Sequence, residues 1–243
     1  MIRKITNSNN YYTINLIDDV KRGMIIIAPG GGYSHASPRE AEPIAKMFNS
    51  YGYHTTVIYY REDLDLFPVP QQQVKEVFDY VKTLDCVDET KVLGCGFSAG
   101  AHLMLSTHFL GYANFNGLIM AYPVVSADKE IAHLGSFEWL LGPEKDNEEL
   151  RRLVSVELQV KNGAPDLFLW TTYTDQAVPI ENSFRLIDAY RKVNASCEFH
   201  LYPSGNHGLS LATEETSAGN PLMVVEHVQS WAMLVKNWLK LKY

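Results

Sequence analysis

The sequence lacks the residues that build disulfide-bonded, metal-binding or membrane-embedded proteins. Its 243 residues contain three cysteines, an odd number with no C-x-x-C spacing. This pattern favours a reduced, cytoplasmic protein over a disulfide-bonded secreted one. No group of His, Cys, Asp or Glu has the spacing of metal ligands, so we expect no metal and no cofactor. No apolar stretch is long enough to span a bilayer, and none follows the basic N-terminus as a signal peptide requires.

Positive charge is also scarce. The chain has 21 Lys and Arg against 28 Asp and Glu, which gives a net charge of −7. Because no basic patch is available to hold a phosphate backbone, we expect neither nucleic acid nor membrane among its partners. The sequence also has no internal repeat and no low-complexity linker, so residues 1–243 are expected to form one domain. It leaves the oligomeric state open, with a homodimer as one option.

Short apolar runs alternate with segments of helical periodicity along the chain. This rhythm predicts an α/β protein with a mostly parallel central sheet and helices on both faces. The predicted strands are 12–16, 24–28, 55–60, 91–95, 117–123, 166–171 and 197–202. Ser37 and Glu40 have the spacing of a capping box for the first helix, although Pro43 indicates a kink or a later start. Residues 126–161 are too long for a simple connection and are predicted to form a small cap over the site.

One stretch carries the strongest chemical signal. Residues 94–102 contain Gly96-x-Ser98-x-Gly100 between an apolar strand and an apolar helix. A serine on a sharp strand-to-helix turn has a strained backbone, so only small residues fit on either side of it. The turn exposes the serine hydroxyl above the sheet and leaves the N–H of Ala99 at a helix start. Five-residue patterns arise by chance, but the strand before and the helix after favour a nucleophile.

A serine nucleophile needs a base, and the base needs an orienting acid. Asp175 and His207 each follow an apolar strand, in the order Ser, Asp, His that this architecture requires. Parallel strands end at the same edge of the sheet, where ligands bind. Asp166 is the competing acid, but it begins a strand and therefore lies at the wrong edge. Of the eight histidines, His207 has the small and turn-forming neighbours that leave its ring free to reach Ser98.

Three consecutive glycines, 30–32, follow the first central strand. Such a run is either a plain turn or a loop whose N–H groups point at a developing oxyanion. The presence of the serine motif in the same chain favours the second interpretation. Tyr33 beside this loop and Tyr122 at a strand end suit a compact substrate pocket. His35 and His133 lie in loops near the site and are further candidates for substrate binding. Phe137 and Trp139 in the predicted cap either anchor it to the core or lie against a sugar ring.

The motifs together resemble those of the α/β-hydrolases, in the esterase branch related to acetylxylan esterases and hormone-sensitive-lipase-like carboxylesterases. This resemblance rests on 29–33, 37–45, 96–103, 122–124, 175–183 and 203–210. It implies Ser98 as nucleophile, Asp175 as orienting acid and His207 as base. It also implies Gly31, Gly32 and Ala99 as oxyanion donors. One departure is Pro29, which stands where the lipase-like motif usually has histidine, so another group must hold the loop.

These observations predict a serine esterase that acts on a small-molecule ester, with acetylated sugars as the favoured substrates. Phe137, Tyr33, Tyr122, His35 and His133 are its predicted substrate contacts. An amidase of the arylformamidase type uses the same machinery and stays open as an alternative. A peptidase is less expected, because no propeller or large specificity domain is present in the sequence. From a different class, an inactive binding module of the same fold would have little use for all four catalytic elements.

Overall fold

A single eight-stranded sheet passes through the centre of the molecule in the computed structural model, which describes residues 1–243. The strands follow the order β1-β2-β4-β3-β5-β6-β7-β8, and all neighbours from β4 to β8 are parallel. Only β1 and β2, at one edge, run antiparallel to their neighbours. The strands are β1 Ile2–Lys4, β2 Tyr11–Asn15, β3 Arg22–Ala28, β4 His54–Tyr59, β5 Val87–Phe97, β6 Gly117–Ala121, β7 Asp166–Thr172 and β8 Cys197–Tyr202.

Seven α-helices cover both faces of this sheet. They are α1 Glu42–Ser50, α2 Val69–Val81, α3 Ala99–Phe109, α4 Leu134–Leu141, α5 Glu148–Val154, α6 Glu181–Lys192 and α7 Glu226–Lys242. Helices α1 and α7 pack on one face, and α2, α3 and α6 pack on the other. A strand between two such layers must be apolar on both sides, which explains the uninterrupted run from Met24 to Ala28. The predicted fold class is thereby confirmed. None of the helices is both long and apolar enough to cross a lipid bilayer.

The segment after the glycine loop differs from the predicted capping box. Pro38–Glu40 forms one 3₁₀ turn, Ala41 breaks the helical geometry, and Ser37 makes no side-chain capping bond. Helix α1 begins only at Glu42, as Pro43 indicated, because proline is tolerated in a first turn whose N–H groups have no helical acceptor. The Glu40 side chain is turned inward and is 2 % exposed. The spacing was that of a helix cap, but the carboxylate binds tertiary partners instead.

The predicted cap, residues 126–161, contains α4, α5 and short 3₁₀ turns between β6 and β7. Buried Phe137, Leu140 and Leu141 anchor α4 to the core that contains α2 and α3. Trp139 lies on the opposite side of the helix from Phe137, because two positions along an α-helix correspond to about 200° of rotation. This segment reaches the cleft that contains Ser98 through His133, Gly135 and Trp139. Whether it moves as a cap stays a prediction.

Candidate active site

Ser98 lies on a sharp turn between β5 and α3. Its backbone has φ 53° and ψ −119°, a conformation that residues with a side chain rarely adopt. Small neighbours are obligatory here. A Cβ on Gly96 would lie 2.4 Å from Ala101 Cα, and one on Gly100 would lie 2.1 Å from the carbonyl oxygen of Ala28. The glycines of the motif therefore allow the chain to turn sharply, and the turn directs the serine hydroxyl toward the strand ends.

Ser98, His207 and Asp175 form one hydrogen-bonded chain of side chains. Ser98 Oγ lies 2.7 Å from His207 Nε2, and His207 Nδ1 lies 2.6 Å from Asp175 Oδ2. The other carboxylate oxygen, Oδ1, accepts the N–H groups of Ala177 and Val178, each at 2.9 Å. The Asp175 side chain is fully buried, while the His207 ring is partly open to solvent. The folded chain thus brings together three residues that lie far apart in sequence.

The hydrogen bonds determine which nitrogen of His207 carries the proton. A buried carboxylate that accepts two backbone N–H bonds is held in its ionised, acceptor-only form. Nδ1 must therefore donate to Asp175, which leaves the Nε2 lone pair facing the Ser98 hydroxyl. This is the tautomer in which imidazole can accept a proton from serine.

The glycine loop after β3 leaves two donors free beside Ser98. No protein group accepts a hydrogen bond from the N–H of Gly31 or of Gly32. Ala99 is the first residue of α3, so its N–H also has no helical acceptor. The loop is held without the missing histidine, because the Tyr60 hydroxyl donates to Pro29 O at 2.7 Å and Gly30 N–H donates to Glu40 Oε2 at 2.8 Å. The three predicted oxyanion donors are therefore free, as a site for a negatively charged oxygen requires.

A cleft of about 370 Å³ opens over Ser98 and His207. Its wall is polar except for one side chain, the indole of Trp139. The lining residues are Gly31, Gly32, Ser34, His35, Ser37, Arg39, Glu40, Ser98, His133, Gly135, Trp139, His207 and Gly208. Two larger clefts, of about 570 and 600 Å³, lie on either side of Arg185 and contain no histidine.

Two of the predicted substrate contacts, His35 and His133, line this cleft. His133 Nδ1 accepts the Ser136 N–H at 3.2 Å and lies 2.8 Å from Ser136 Oγ. A backbone N–H can only donate, so the ring proton of neutral His133 is on Nε2. Burial lowers the pKa of His133, and the nearby His207 lowers it further. The ring is therefore held neutral, with one N–H available as a donor.

The other three predicted contacts are core residues. The Tyr33 ring is 0 % exposed and its hydroxyl lies 2.8 Å from His102 Nδ1. Phe137 is 0 % exposed and packs edge-on against His102, with ring centroids 5.2 Å apart. Tyr122 is 2 % exposed and supports His207 from beneath, with ring centroids 4.9 Å apart. A side chain with no exposed surface cannot contact a substrate, so these three assignments are corrected to structural ones.

His102 completes the support beneath the glycine loop. Its Nε2 donates to the carbonyl oxygen of Val154 at 2.8 Å, and its Nδ1 accepts the Tyr33 hydroxyl. Burial lowers the pKa of His102 to about 4, so the ring stays neutral near neutral pH. It connects α3, which begins at the serine, to the end of α5. The expectation that His102 packs rather than reacts agrees with this position.

Comparison with known proteins follows from this geometry. The sequence profile described as the prolyl oligopeptidase family matches residues 65–228, which is more than half of the chain. The chain belongs to the prolyl oligopeptidase family. The resemblance to the α/β-hydrolases, and to their esterase branch, is also confirmed by the relatives.

Two curated relatives and one solved structure show the likeness in detail. Endo-1,4-beta-xylanase B of Butyrivibrio fibrisolvens is 32% identical over 83% of this chain, and an acetylxylan esterase of Xylanibacter ruminicola is 29% identical over 83%. The match spans only 35% and 46% of those two proteins. The crystal structure of an acetyl ester-xyloside bifunctional hydrolase from Caldicellulosiruptor lactoaceticus superposes with a TM-score of 0.83 at 30% identity, covering 97% of this chain and 89% of that one.

Proposed function

We propose that this protein is a serine esterase that removes acetyl groups from acetylated sugars. The observation that carries the proposal is the hydrogen-bonded chain Ser98–His207–Asp175, which faces free N–H donors in a polar cleft. Two relatives support the substrate class, since one is named an acetylxylan esterase and another an acetyl ester-xyloside hydrolase. The three free cysteines and the absence of metal-ligand spacing in the sequence are consistent with a cytoplasmic enzyme that needs no cofactor.

The proposed reaction has two halves that use the same groups. Ser98 Oγ attacks the acyl carbon while His207 Nε2 accepts its proton, and the N–H groups of Gly31, Gly32 and Ala99 stabilise the oxyanion. The tetrahedral intermediate collapses, and His207 returns the proton to the leaving alcohol. Water then attacks the acyl-serine with His207 as base, releasing the carboxylic acid and restoring the Ser98 hydroxyl.

The cleft wall supports a sugar as the alcohol part of the ester. Trp139 is 45 % exposed although tryptophan is usually well buried, and it is the single large apolar surface in the cleft. An indole face packs against the C–H face of a sugar ring, while polar neighbours bind its hydroxyls. His133 offers the Nε2–H donor, and His35 and Arg39 offer further polar groups. We assign Trp139 and His133 as the residues that hold the sugar.

A series of p-nitrophenyl esters tests the acyl part of the proposal. Apart from Trp139 the cleft has no apolar wall, so it cannot gain the roughly 0.8 kcal/mol per methylene that a long acyl chain would release on burial. We expect kcat/KM to be highest for acetate or propionate and to fall at least about tenfold by octanoate. A maximum at octanoate or beyond would contradict a short-acyl enzyme.

The same purified protein then separates the esterase from its alternatives. Acetylated xylo-oligosaccharides, an aryl formamide and a prolyl anilide are compared at equal concentration. Faster release of acetate than of formate or aniline supports the esterase. Preference for the formamide identifies an amidase, and preference for the anilide identifies a peptidase like those for which the family is named. Failure of a fluorophosphonate to label Ser98 would indicate a binding module.

Replacement of Trp139 tests the sugar platform. We expect Trp139→Ala to raise KM for acetylated xylo-oligosaccharides about tenfold, since an aromatic stacking contact contributes roughly 1 kcal/mol beyond its buried area. Hydrolysis of vinyl acetate, which has no ring to stack, should change less than about threefold. Leu134→Ala is the matched control, because Leu134 is an exposed residue of α4 outside the cleft. Equal losses on both substrates would show that Trp139 supports the helix rather than the sugar.

A further inference from the structure

Glu40 is a buried carboxylate beside the active site that the proposed reaction does not use. It is 2 % exposed, and no lysine or arginine lies within salt-bridge distance of it. A buried charge is costly unless hydrogen bonds satisfy it. Its two oxygens are both satisfied, by groups that belong to different loops. This division of its two hydrogen bonds is the basis of the inference.

One oxygen of Glu40 holds the glycine loop. Oε2 accepts the N–H of Gly30 at 2.8 Å, the residue directly before the two free donors Gly31 and Gly32. Gly30 itself lies against the nucleophile, since a Cβ placed on it would be 3.0 Å from Ser98 Cβ. A displacement of Gly30 would therefore shift the oxyanion donors relative to the serine.

The other oxygen of Glu40 reaches the histidine loop through Tyr122. The Tyr122 hydroxyl donates to Glu40 Oε1 at 2.5 Å and accepts the N–H of Ser210 at 3.0 Å. Burial and the Glu40 charge raise the pKa of Tyr122, so the hydroxyl keeps the proton that it donates. Ser210 lies three residues after His207, and the Tyr122 ring packs against the His207 ring.

The backbone of the same turn also binds the histidine loop. Ser210 Oγ donates to the carbonyl oxygen of Arg39 at 2.6 Å, and Arg39 Nη1 donates to the carbonyl oxygen of Thr216 at 3.1 Å. The turn Pro38–Glu40 thus contacts both loops, one through the Glu40 side chain and the other through its neighbours. This explains why the turn is not part of helix α1.

We propose that Glu40 is a positioning residue, which keeps the oxyanion loop and the histidine loop aligned across Ser98. It acts through Gly30 on one side and through Tyr122 and Ser210 on the other, without touching the substrate's reacting atoms. The inference rests on the proposed serine esterase reaction. A carboxylate is required because both of its oxygens accept, whereas a glutamine has one acceptor and one donor group.

Glu40→Gln tests this directly, since glutamine has the same shape and fills the same space. Its amide can accept either Gly30 N–H or the Tyr122 hydroxyl, and its NH₂ group must face the other partner. We expect kcat per active site to fall by about 10 to 100-fold, as a small misplacement of catalytic groups does, with KM changed less than about threefold. Active sites are counted by complete labelling with a fluorophosphonate, so a loss of folded protein does not lower this kcat.

Tyr122→Phe provides a second variant, which removes the hydroxyl between Glu40 and Ser210 and leaves the bond to Gly30. We expect a loss of about tenfold in kcat per active site, and a double variant much less impaired than the product of the two single effects. Glu157→Gln is the matched control. Glu157 is also a buried carboxylate, bonded to Ser126 Oγ at 2.6 Å, but it is not part of the cleft over Ser98. Its kcat should stay within about twofold of the native value.

The outcomes separate this inference from the proposed function. If the native protein hydrolyses no ester, the proposed function is wrong, and the rate of fluorophosphonate labelling still measures the effect of Glu40 on Ser98. If the native protein is active but Glu40→Gln retains its kcat per active site within about twofold, Glu40 is only structural. Should Glu40→Gln fail to fold, an unchanged kcat in Tyr122→Phe overturns the proposal. Fully multiplicative effects of the two variants would also overturn it.

Discussion

Ser98→Ala is expected to abolish hydrolysis while leaving the protein folded. Loss of the nucleophile in a Ser–His–Asp site lowers kcat by at least about 10⁴-fold, because the remaining groups only stabilise charge. Folding should be retained, since the strained turn is held by backbone groups: Ser98 N–H donates to Ala121 O at 3.0 Å and Ala101 N–H donates to Ser98 O at 3.1 Å. Serine and alanine both have a Cβ, so the strain at φ 53° is the same in both.

Hydrolysis of p-nitrophenyl acetate and intact-mass detection of a fluorophosphonate adduct measure the effect. Ser183→Ala is a matched control, because Ser183 is another buried serine but lies on α6 outside the cleft. It should retain activity and label on Ser98. A Ser98→Ala protein that kept more than about a hundredth of the native kcat would show that another residue is the nucleophile.

Asp175→Asn should reduce kcat by about 10⁴-fold through the tautomer of His207. The N–H groups of Ala177 and Val178 both donate to Oδ1, so they select the oxygen of the new amide for that position. The amide NH₂ then faces His207 Nδ1, which must become the acceptor. The ring proton moves to Nε2, where it opposes the Ser98 hydroxyl, and the base is lost although no atom has moved.

Asp166→Asn is the control for that prediction. Asp166 begins β7, at the opposite end of the strand from the active site, and its carboxylate pairs with Lys242 Nζ at 3.0 Å. A half-exposed ion pair of this kind contributes little, so activity should stay within about twofold of the native value. If Asp166→Asn were the damaging change, the assignment of Asp175 as orienting acid would be wrong.

The sheet and the three reacting side chains could be predicted from the sequence because both follow from local patterns. A strand buried on two faces must be apolar throughout, and the run at β3 shows this directly. Parallel strands end at one edge, so Asp175 and His207 had to lie near Ser98 once each was assigned to a strand end. The terminal strand β1 was missed because its three exposed residues carry no alternating pattern.

The substrate wall could not be predicted in the same way. Tyr33, Tyr122 and Phe137 are near the site in sequence, but whether a ring faces the cleft or the core depends on the helix or loop that carries it. On α4 the two aromatic residues point to opposite sides, so Phe137 is buried and Trp139 is open. Only the rotation of that helix against the core decides which of them a ligand can reach.

Glu40 illustrates the same division most clearly. The order Ser, Asp, His along the chain, the small residues around Ser98 and the apolar strands follow from backbone sterics and burial, which act between near neighbours. The spacing of Ser37 and Glu40 was equally consistent with a helix cap, which is a local structure. The partners that Glu40 has in the fold, Gly30 on one loop and Tyr122 below another, are distant in sequence. A buried carboxylate binds whatever donors the fold brings to it, so its role is decided only when the sheet has placed these loops side by side.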